Sequence, residues 1–83
     1  MKYYNCKYET IIEIPLEEYV ATVVASEIGN APLEAAKAQA IAARTFAVGR
    51  GVLNGKAISD SAAKAQAFRA ERIGKYVTCI KAA

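Results

Sequence analysis

The most regular pattern of apolar positions in the chain lies between residues 16 and 28. Apolar residues recur at positions 16, 19, 20, 23 and 24, and this spacing predicts a helix with one buried face. The next position on that face is Glu27, so we expect a carboxylate in the last helical turn. Burial and the negative end of the helix dipole would both favour its protonated form, as a general acid requires. Spacing alone favours the alternative, in which the helix frays at Gly29 and Asn30 and Glu27 points into water.

The pattern also predicts a strand before this helix and a second helix after it. Residues 8–14 are rich in β-branched and aromatic side chains, which is typical of a strand. Residues 2–6 are expected to pair with it as a short hairpin. Pro15 ends the strand and suits a helix start, as does Pro32 for a second helix that runs to about residue 49 or 50. This second helix is rich in alanine, and the short link at residues 29–31 predicts a helical corner.

The C-terminal part of the chain gives a weaker pattern. Residues 58–61 are predicted to form a loop. The residues before them include Gly49, Gly51, Asn54 and Gly55, which are typical of turns and loops. Residues 62–72 fit either a third helix or an irregular crossing segment that ends at Phe68. Helical spacing of Ile73, Val77 and Ile80 predicts a short helix over residues 73–83. We therefore predict a single α+β domain, mainly helical, with an N-terminal β-strand or hairpin followed by a helical corner.

Composition excludes several kinds of chemistry within the 83 residues. The chain has no histidine, so it contains no Ser-His or Cys-His catalytic unit. Cys6 and Cys79 are its two cysteines; they could pair, but two free, partly buried thiols are favoured. There is no C-x-x-C spacing, and we expect no metal or cofactor. The net charge is +3, but lysine and arginine are spread along the chain, so we expect no nucleic-acid partner.

Four short sequence elements follow one another with few intervening residues between residues 14 and 48. They are PLEEYV from Pro15 to Val20, VVASE from Val23 to Glu27, PLEAAKAQA from Pro32 to Ala40, and AART from Ala42 to Thr45. Together they closely resemble the signature of the SpoIID domain, named for stage II sporulation protein D. This family also includes the amidase enhancers of bacterial cell-wall turnover.

The resemblance implies a peptidoglycan-active module with Glu27 as its catalytic residue. The sporulation member of the family is a lytic transglycosylase that cleaves the bond between N-acetylmuramic acid and N-acetylglucosamine in glycan strands without stem peptides. One carboxyl group suffices for that chemistry, in contrast to the carboxylate pair of ordinary glycoside hydrolases. The alternative is a non-catalytic cell-wall binding module that enhances an N-acetylmuramoyl-L-alanine amidase. The two differ in whether Glu27 faces a sugar-sized groove.

Three polar residues of the second helix are further candidates for binding the substrate. Gln39 is expected to be partly buried and to hold the glutamate or a sugar hydroxyl. For Lys37, a solvated position and a functional one are about equally expected. For Arg44, we favour a structural ion pair with Glu17, Glu18 or Glu34 over contact with a sugar.

The chain also departs from the family pattern. Ile28 and Gly29 stand where members often carry methionine and proline, and residues 59–66 have no cysteine or histidine, so no zinc is expected. Asp60 and residues 66–68 weakly resemble the family's aspartate and glutamine-x-tyrosine.

The family's domain normally continues past residue 83. We therefore expect the N-terminal portion of a SpoIID-like domain, which is inactive alone and self-associates through an uncovered face of the second helix. Expected partners are peptidoglycan glycan strands, and a cell-wall amidase if the enhancer alternative holds. The expected location is extracytoplasmic, at the cell envelope.

Overall fold

The computed structural model describes residues 1–83, apart from the side chains of Val77 and Thr78. Helices account for 49% of the chain and strands for 14%, so the α+β prediction is confirmed. Two 3₁₀ turns, Val52–Asn54 and Ala70–Arg72, supplement the regular elements. In chain order these elements are β1 (Lys2–Asn5), β2 (Thr10–Glu13), α1 (Leu16–Ile28), α2 (Leu33–Gly49), β3 (Ala57–Ser59) and α3 (Val77–Ala82).

The three strands form one small sheet in the order β2-β1-β3. β1 and β2 pair as an antiparallel hairpin in which Tyr3 lies opposite Ile12. β1 and β3 pair in parallel, with Tyr3 opposite Ile58. A parallel pair needs a long crossover, and here α1 and α2 supply it. Alternation along β1 buries Tyr3 and Asn5 on the face that meets the helices.

The prediction of a loop at residues 58–61 was wrong, because β3 occupies residues 57–59. Three residues are too few for a clear periodicity, and the pairing partner of β3 lies more than fifty residues earlier in the chain. The predicted hairpin is confirmed, but β2 begins at Thr10 and not at Tyr8. Tyr8 lies in the turn and is 68% exposed, and Glu9 adopts a left-handed φ of 51°.

Helix α1 has the predicted bounds and forms the centre of the molecule. All seven residues from Tyr19 to Ala25 are buried, a wider burial than the predicted single stripe. A helix buried on every side is packed between several elements, and α1 contacts α2, α3 and the 3₁₀ turn at Ala70–Arg72. Its chemistry is therefore confined to its two ends.

Helix α2 packs through its alanines, as predicted. Ala36, Ala40, Ala43 and Ala47 have no exposed surface, and their spacing of three or four residues makes one continuous buried face. Ile41 and Val48 are exposed on the other side, which confirms an uncovered apolar face. Whether copies of the chain associate through that face stays a prediction.

The C-terminal third is less helical than predicted. Of the two alternatives for residues 62–72, the structure shows the irregular crossing segment, with the 3₁₀ turn at its end. Helix α3 covers only Val77–Ala82, because Gly74 has a positive φ of 69° before it. Ile73 and Ile80 are exposed, whereas Cys79 is buried, so the predicted apolar stripe is not the buried face. The part of that prediction that concerns Val77 lies outside the described side chains.

None of the helices in the described part of the chain is both long enough and apolar enough to cross a membrane.

Candidate functional site at the C-terminal end of the central helix

Glu27 lies in the last turn of α1, one residue before its end and just beyond the buried part of that helix. Its side chain is exposed, as in the alternative that spacing alone favours, and it is not buried. The physical reason is that the elements around α1 cover it only as far as Ala25. The helix keeps its predicted bounds and ends at Ile28, directly before Gly29.

The Glu27 carboxylate is nevertheless held in place by the chain. Its Oε1 accepts a hydrogen bond of 3.2 Å from the backbone N–H of Ala67. The neighbouring Ser26 Oγ accepts one of 2.9 Å from the backbone N–H of Arg69, and donates to the Thr22 carbonyl at 2.7 Å. Two adjacent side chains of α1 therefore bind the segment that crosses this end of the helix, residues 66–72, which we call the crossing strap.

Gln66 anchors the beginning of the crossing strap. Its Nε2 donates to the Tyr19 hydroxyl at 3.3 Å and to the Ala43 carbonyl at 3.0 Å. One side chain therefore ties the strap to α1 and to α2 at once. Tyr19 is fully buried as predicted, and its hydroxyl finds this polar partner.

An aromatic cluster fixes the next part of the strap. The Phe68 ring stacks on Tyr19, with centroids 5.0 Å apart and planes 11° from parallel. It also meets the Tyr3 ring at 4.5 Å in a tilted arrangement. These contacts join the strap to the sheet through Tyr3 and to α1 through Tyr19, so Ala67, which binds Glu27, lies between two anchored residues.

Arg72 ends the strap at the carbonyl end of α1. Its guanidinium donates to the Ala25 carbonyl at 2.8 Å, where a cation offsets the negative end of the helix dipole. The last turn of α1 carries no basic residue of its own. Gly29, with a φ of 63°, closes the helix and donates its N–H to the same carbonyl at 3.0 Å.

This arrangement can support proton transfer by one carboxyl group. One oxygen of Glu27 is fixed by the strap, and the exposed side chain leaves the other free to meet a ligand. Within the described residues, no group of three or more histidine, cysteine, aspartate or glutamate side chains is placed to hold a metal ion.

The other candidate residues of α2 do not contact Glu27 through hydrogen bonds seen in the structure. Lys37 is exposed, and its Nζ lies 3.5 Å from Glu34. Gln39 is half-buried as expected, and its amide makes no hydrogen bond with the described residues. Both lie in the first turns of α2, near Glu27 along the chain; sugar contact stays a prediction for both.

Arg44 forms the favoured structural ion pair. It binds Glu17 and the Ala83 carbonyl. Glu17 is in the first turn of α1, about 15 Å along the helix axis from Glu27. Arg44 therefore binds at the end of the central helix opposite to Glu27. Its assignment to substrate binding stays a prediction.

The buried titratable groups are not placed for proton transfer near neutral pH. Burial raises the pKa of the Tyr19 hydroxyl, and the hydrogen bond from Gln66 only partly offsets this. Burial also raises the pKa of the Cys79 thiol, whose Sγ donates to the Gly29 carbonyl at 3.5 Å. Both cysteines are free, but Cys6 is exposed, so only one of the expected thiols is buried.

Glu27 lines none of three surface cavities that lie beside the elements described above. The largest, about 400 Å³, lies beside the crossing strap and reaches from Asn5 to Glu71. A second of about 320 Å³ lies between the first half of α1 and Ile80, and a third of about 350 Å³ lies at Pro15.

Sequence reasoning found Glu27 but missed most of the strap that holds it. Gln66 and Phe68 were noticed only for their weak similarity to a family element. Ser26 and Arg72 gave no signal, because a serine in a helix and a surface arginine are unremarkable in a sequence, and nothing in the sequence marks the backbone N–H of Ala67 as a donor. Their importance comes from contacts across about forty residues of chain.

Comparison with known proteins identifies a family for the chain. The family model described as Stage II sporulation protein (SpoIID) matches residues 4–83. Stage II sporulation protein D of Bacillus subtilis (strain 168) is 54% identical over 46 residues, which make up 54% of this chain and 13% of that protein. The match thus spans only a small part of the relative's length. No solved structure matches the chain. Since the family model covers nearly all of the sequence, including α1, α2 and the crossing strap, the chain belongs to the SpoIID family.

Proposed function

We propose that this chain is part of a cell-wall module that cleaves peptidoglycan glycan strands, with Glu27 as general acid and base. Family membership supports a role in sporulation and the cell wall. The observation that carries the finer proposal is the hydrogen bond from Ala67 to Glu27, because it orients a solvent-accessible carboxyl group on the family's signature element. The proposed location is the cell envelope.

The proposed reaction needs one carboxyl group in two roles. Protonated Glu27 donates its proton to the glycosidic oxygen between N-acetylmuramic acid and N-acetylglucosamine as that bond breaks. The resulting carboxylate then accepts the proton of the muramic 6-hydroxyl, whose oxygen attacks the anomeric carbon and forms a 1,6-anhydro ring. The glutamate ends protonated as it began, and no water is consumed.

The crossing strap supports this cycle by keeping the carboxyl group in one position. A catalytic carboxyl group must lie within hydrogen-bond reach of the atoms that exchange protons. Gln66 and Phe68, the two neighbours of Ala67 in the chain, are each held by contacts with other elements. The backbone N–H of Ala67 is therefore a fixed donor to Oε1 of Glu27. The second oxygen makes no hydrogen bond with the described residues and is left for the substrate, and no further charged partner is required.

The second candidate is a non-catalytic cell-wall binding module that enhances an N-acetylmuramoyl-L-alanine amidase. One observation favours it: Glu27 lines none of the three cavities described above. In this case the same surface would bind glycan strands, and a cell-wall amidase would be the protein partner.

A product assay separates the two candidates. Full-length protein would be incubated with glycan strands freed of their stem peptides, and soluble products would be analysed by mass spectrometry. Cleavage predicts fragments that end in 1,6-anhydro-N-acetylmuramic acid. If no such fragments form, while the protein accelerates a purified amidase on intact peptidoglycan, the enhancer function is correct.

A further inference from the structure

The largest cavity lies on the sheet side of the crossing strap and has no role in the mechanism above. It is bounded by the β1–β2 turn, by Asp60 after β3, and by strap residues from Phe68 to Glu71. Its volume of about 400 Å³ falls within the range of small-ligand sites, about 300–1,000 Å³. The same strap that binds Glu27 through Ala67 therefore forms a wall of this cavity from the next residue, Phe68, onward.

An amide that lines the cavity has a donor that the chain does not use. Asn5 is only 6% exposed, and its Oδ1 accepts the Tyr8 N–H at 3.1 Å. Among the described residues, its Nδ2 makes no hydrogen bond, although Asn5 lines the cavity. Among the described residues no buried side-chain nitrogen or oxygen lacks a partner, so this Nδ2 is accessible, and a ligand carbonyl or hydroxyl in the cavity is a suitable acceptor for it.

An exposed aromatic ring stands at the edge of the cavity. Tyr8 is held by the same Asn5 turn, yet 68% of its surface is exposed. Lys7 Nζ lies 5.3 Å from the centre of its ring. Such a ring, fixed by its backbone and bare on one face, suits the apolar C–H face of a pyranose.

Asp60 is also positioned in advance. Its Oδ1 accepts the Cys6 N–H at 3.1 Å, and its own N–H donates to the Tyr4 carbonyl at 3.1 Å. These two hydrogen bonds hold Asp60 in place, and its second carboxylate oxygen can accept a hydrogen bond from a sugar hydroxyl.

Charges around the cavity balance. Two cations, Lys7 and Arg69, and two carboxylates, Asp60 and Glu71, line it. A polyanion would meet repulsion from the carboxylates, whereas a neutral polar ring with donors and acceptors finds partners of both kinds. From this amide, aromatic ring and balanced charge, we propose that the cavity binds one N-acetylated amino-sugar ring of the glycan strand. The choice of this sugar rests on the proposed function.

A titration tests the site directly. The 83-residue chain, labelled with ¹⁵N, would be titrated with the β-1,4-linked tetrasaccharide of N-acetylglucosamine. Signals of Asn5, Tyr8, Asp60 and Arg69 should shift together. Tyr8→Ala should weaken binding by about fivefold or more. The matched control is Ile11→Ala, which truncates another exposed side chain of the same hairpin outside the cavity and should leave the affinity unchanged.

Three results would overturn the proposal: no shift at the cavity, equal affinities for Tyr8→Ala and the parent, or shifts with a stem peptide but not with the tetrasaccharide. Asp60→Asn, which keeps the acceptor for Cys6, is the second variant if Tyr8→Ala fails to fold, and it should also weaken binding. In the full-length protein, Tyr8→Ala should raise KM and leave kcat unchanged. Sugar binding without any cleavage would refute the proposed catalysis alone; cleavage with an unchanged KM in Tyr8→Ala would refute this site alone.

Discussion

Substitution of Gln66 is the clearest test of whether the crossing strap stabilises the fold or is only a surface loop. Gln66→Leu keeps a similar volume but removes the donor that binds both the Tyr19 hydroxyl and the Ala43 carbonyl. Each such hydrogen bond contributes about 0.5–1.5 kcal/mol net. The Ala43 carbonyl still has its partner within α2, so neither loss leaves a charged group uncompensated. We therefore expect a loss of about 1–3 kcal/mol in the free energy of unfolding.

Thermal and chemical unfolding would measure this loss. For a domain of this size, 1 kcal/mol corresponds to a change in Tm of about 4–8 °C. The matched control is Gln39→Leu, because Gln39 is also a half-buried glutamine but makes no hydrogen bond with the described residues. Its Tm should change by much less.

A double-mutant cycle with Tyr19→Phe isolates the bond between the two side chains. The coupling should be at least about 0.5 kcal/mol, since the groups are in direct contact. Equal Tm changes for the Gln66 and Gln39 variants, or a coupling of zero, would refute the strap as described.

Three further predictions concern packing, thiols and pH. Ala43→Leu should overpack the buried face of α2 and cost about 1–3 kcal/mol, whereas Ala42→Leu, on the exposed side, should leave Tm nearly unchanged in the same melting experiment. A thiol reagent should modify Cys6 rapidly in the native protein and Cys79 only on unfolding; rapid reaction of both would contradict the burial of Cys79. Burial raises the pKa of Tyr19, so the folded state holds that proton more strongly and stability should fall as pH rises above about 10; urea titrations should show a smaller fall in Tyr19→Phe.

Local pattern was sufficient to predict the elements that are long and periodic. Both long helices were predicted within a residue or so of their observed bounds, because their apolar spacing, flanking prolines and Gly29 agree with one another. The hairpin followed from the β-branched run before Pro15. The buried role of Ala40 and Ala43 followed from alanine's suitability for close helix packing.

The elements that depend on distant partners could not be predicted in this way. β3 is a strand only because it adds to the far side of β1, and the crossing strap has no period because α1, α2 and the sheet each hold a different residue of it. For the same reason, the apolar spacing placed Glu27 on the line of the buried face but could not show that the elements that cover α1 stop at Ala25. What sequence did predict of the site is the glutamate on its signature element, and what it could not predict is the backbone donor that orients it.

Turnover by Glu27→Gln in the full-length protein is the most direct test of the central claim. Glutamine keeps the oxygen that accepts the Ala67 N–H, so the strap and the fold should be retained while proton transfer is lost. Glu18→Gln, an exposed carboxylate at the other end of α1, is the matched control. With glycan strands lacking stem peptides as substrate, the account predicts that Glu27→Gln reduces formation of anhydro-sugar products by about a hundredfold or more, with Glu18→Gln unaffected. Turnover by Glu27→Gln equal to that of the unmodified protein, at the same Tm, would contradict the assignment of Glu27 as general acid and base.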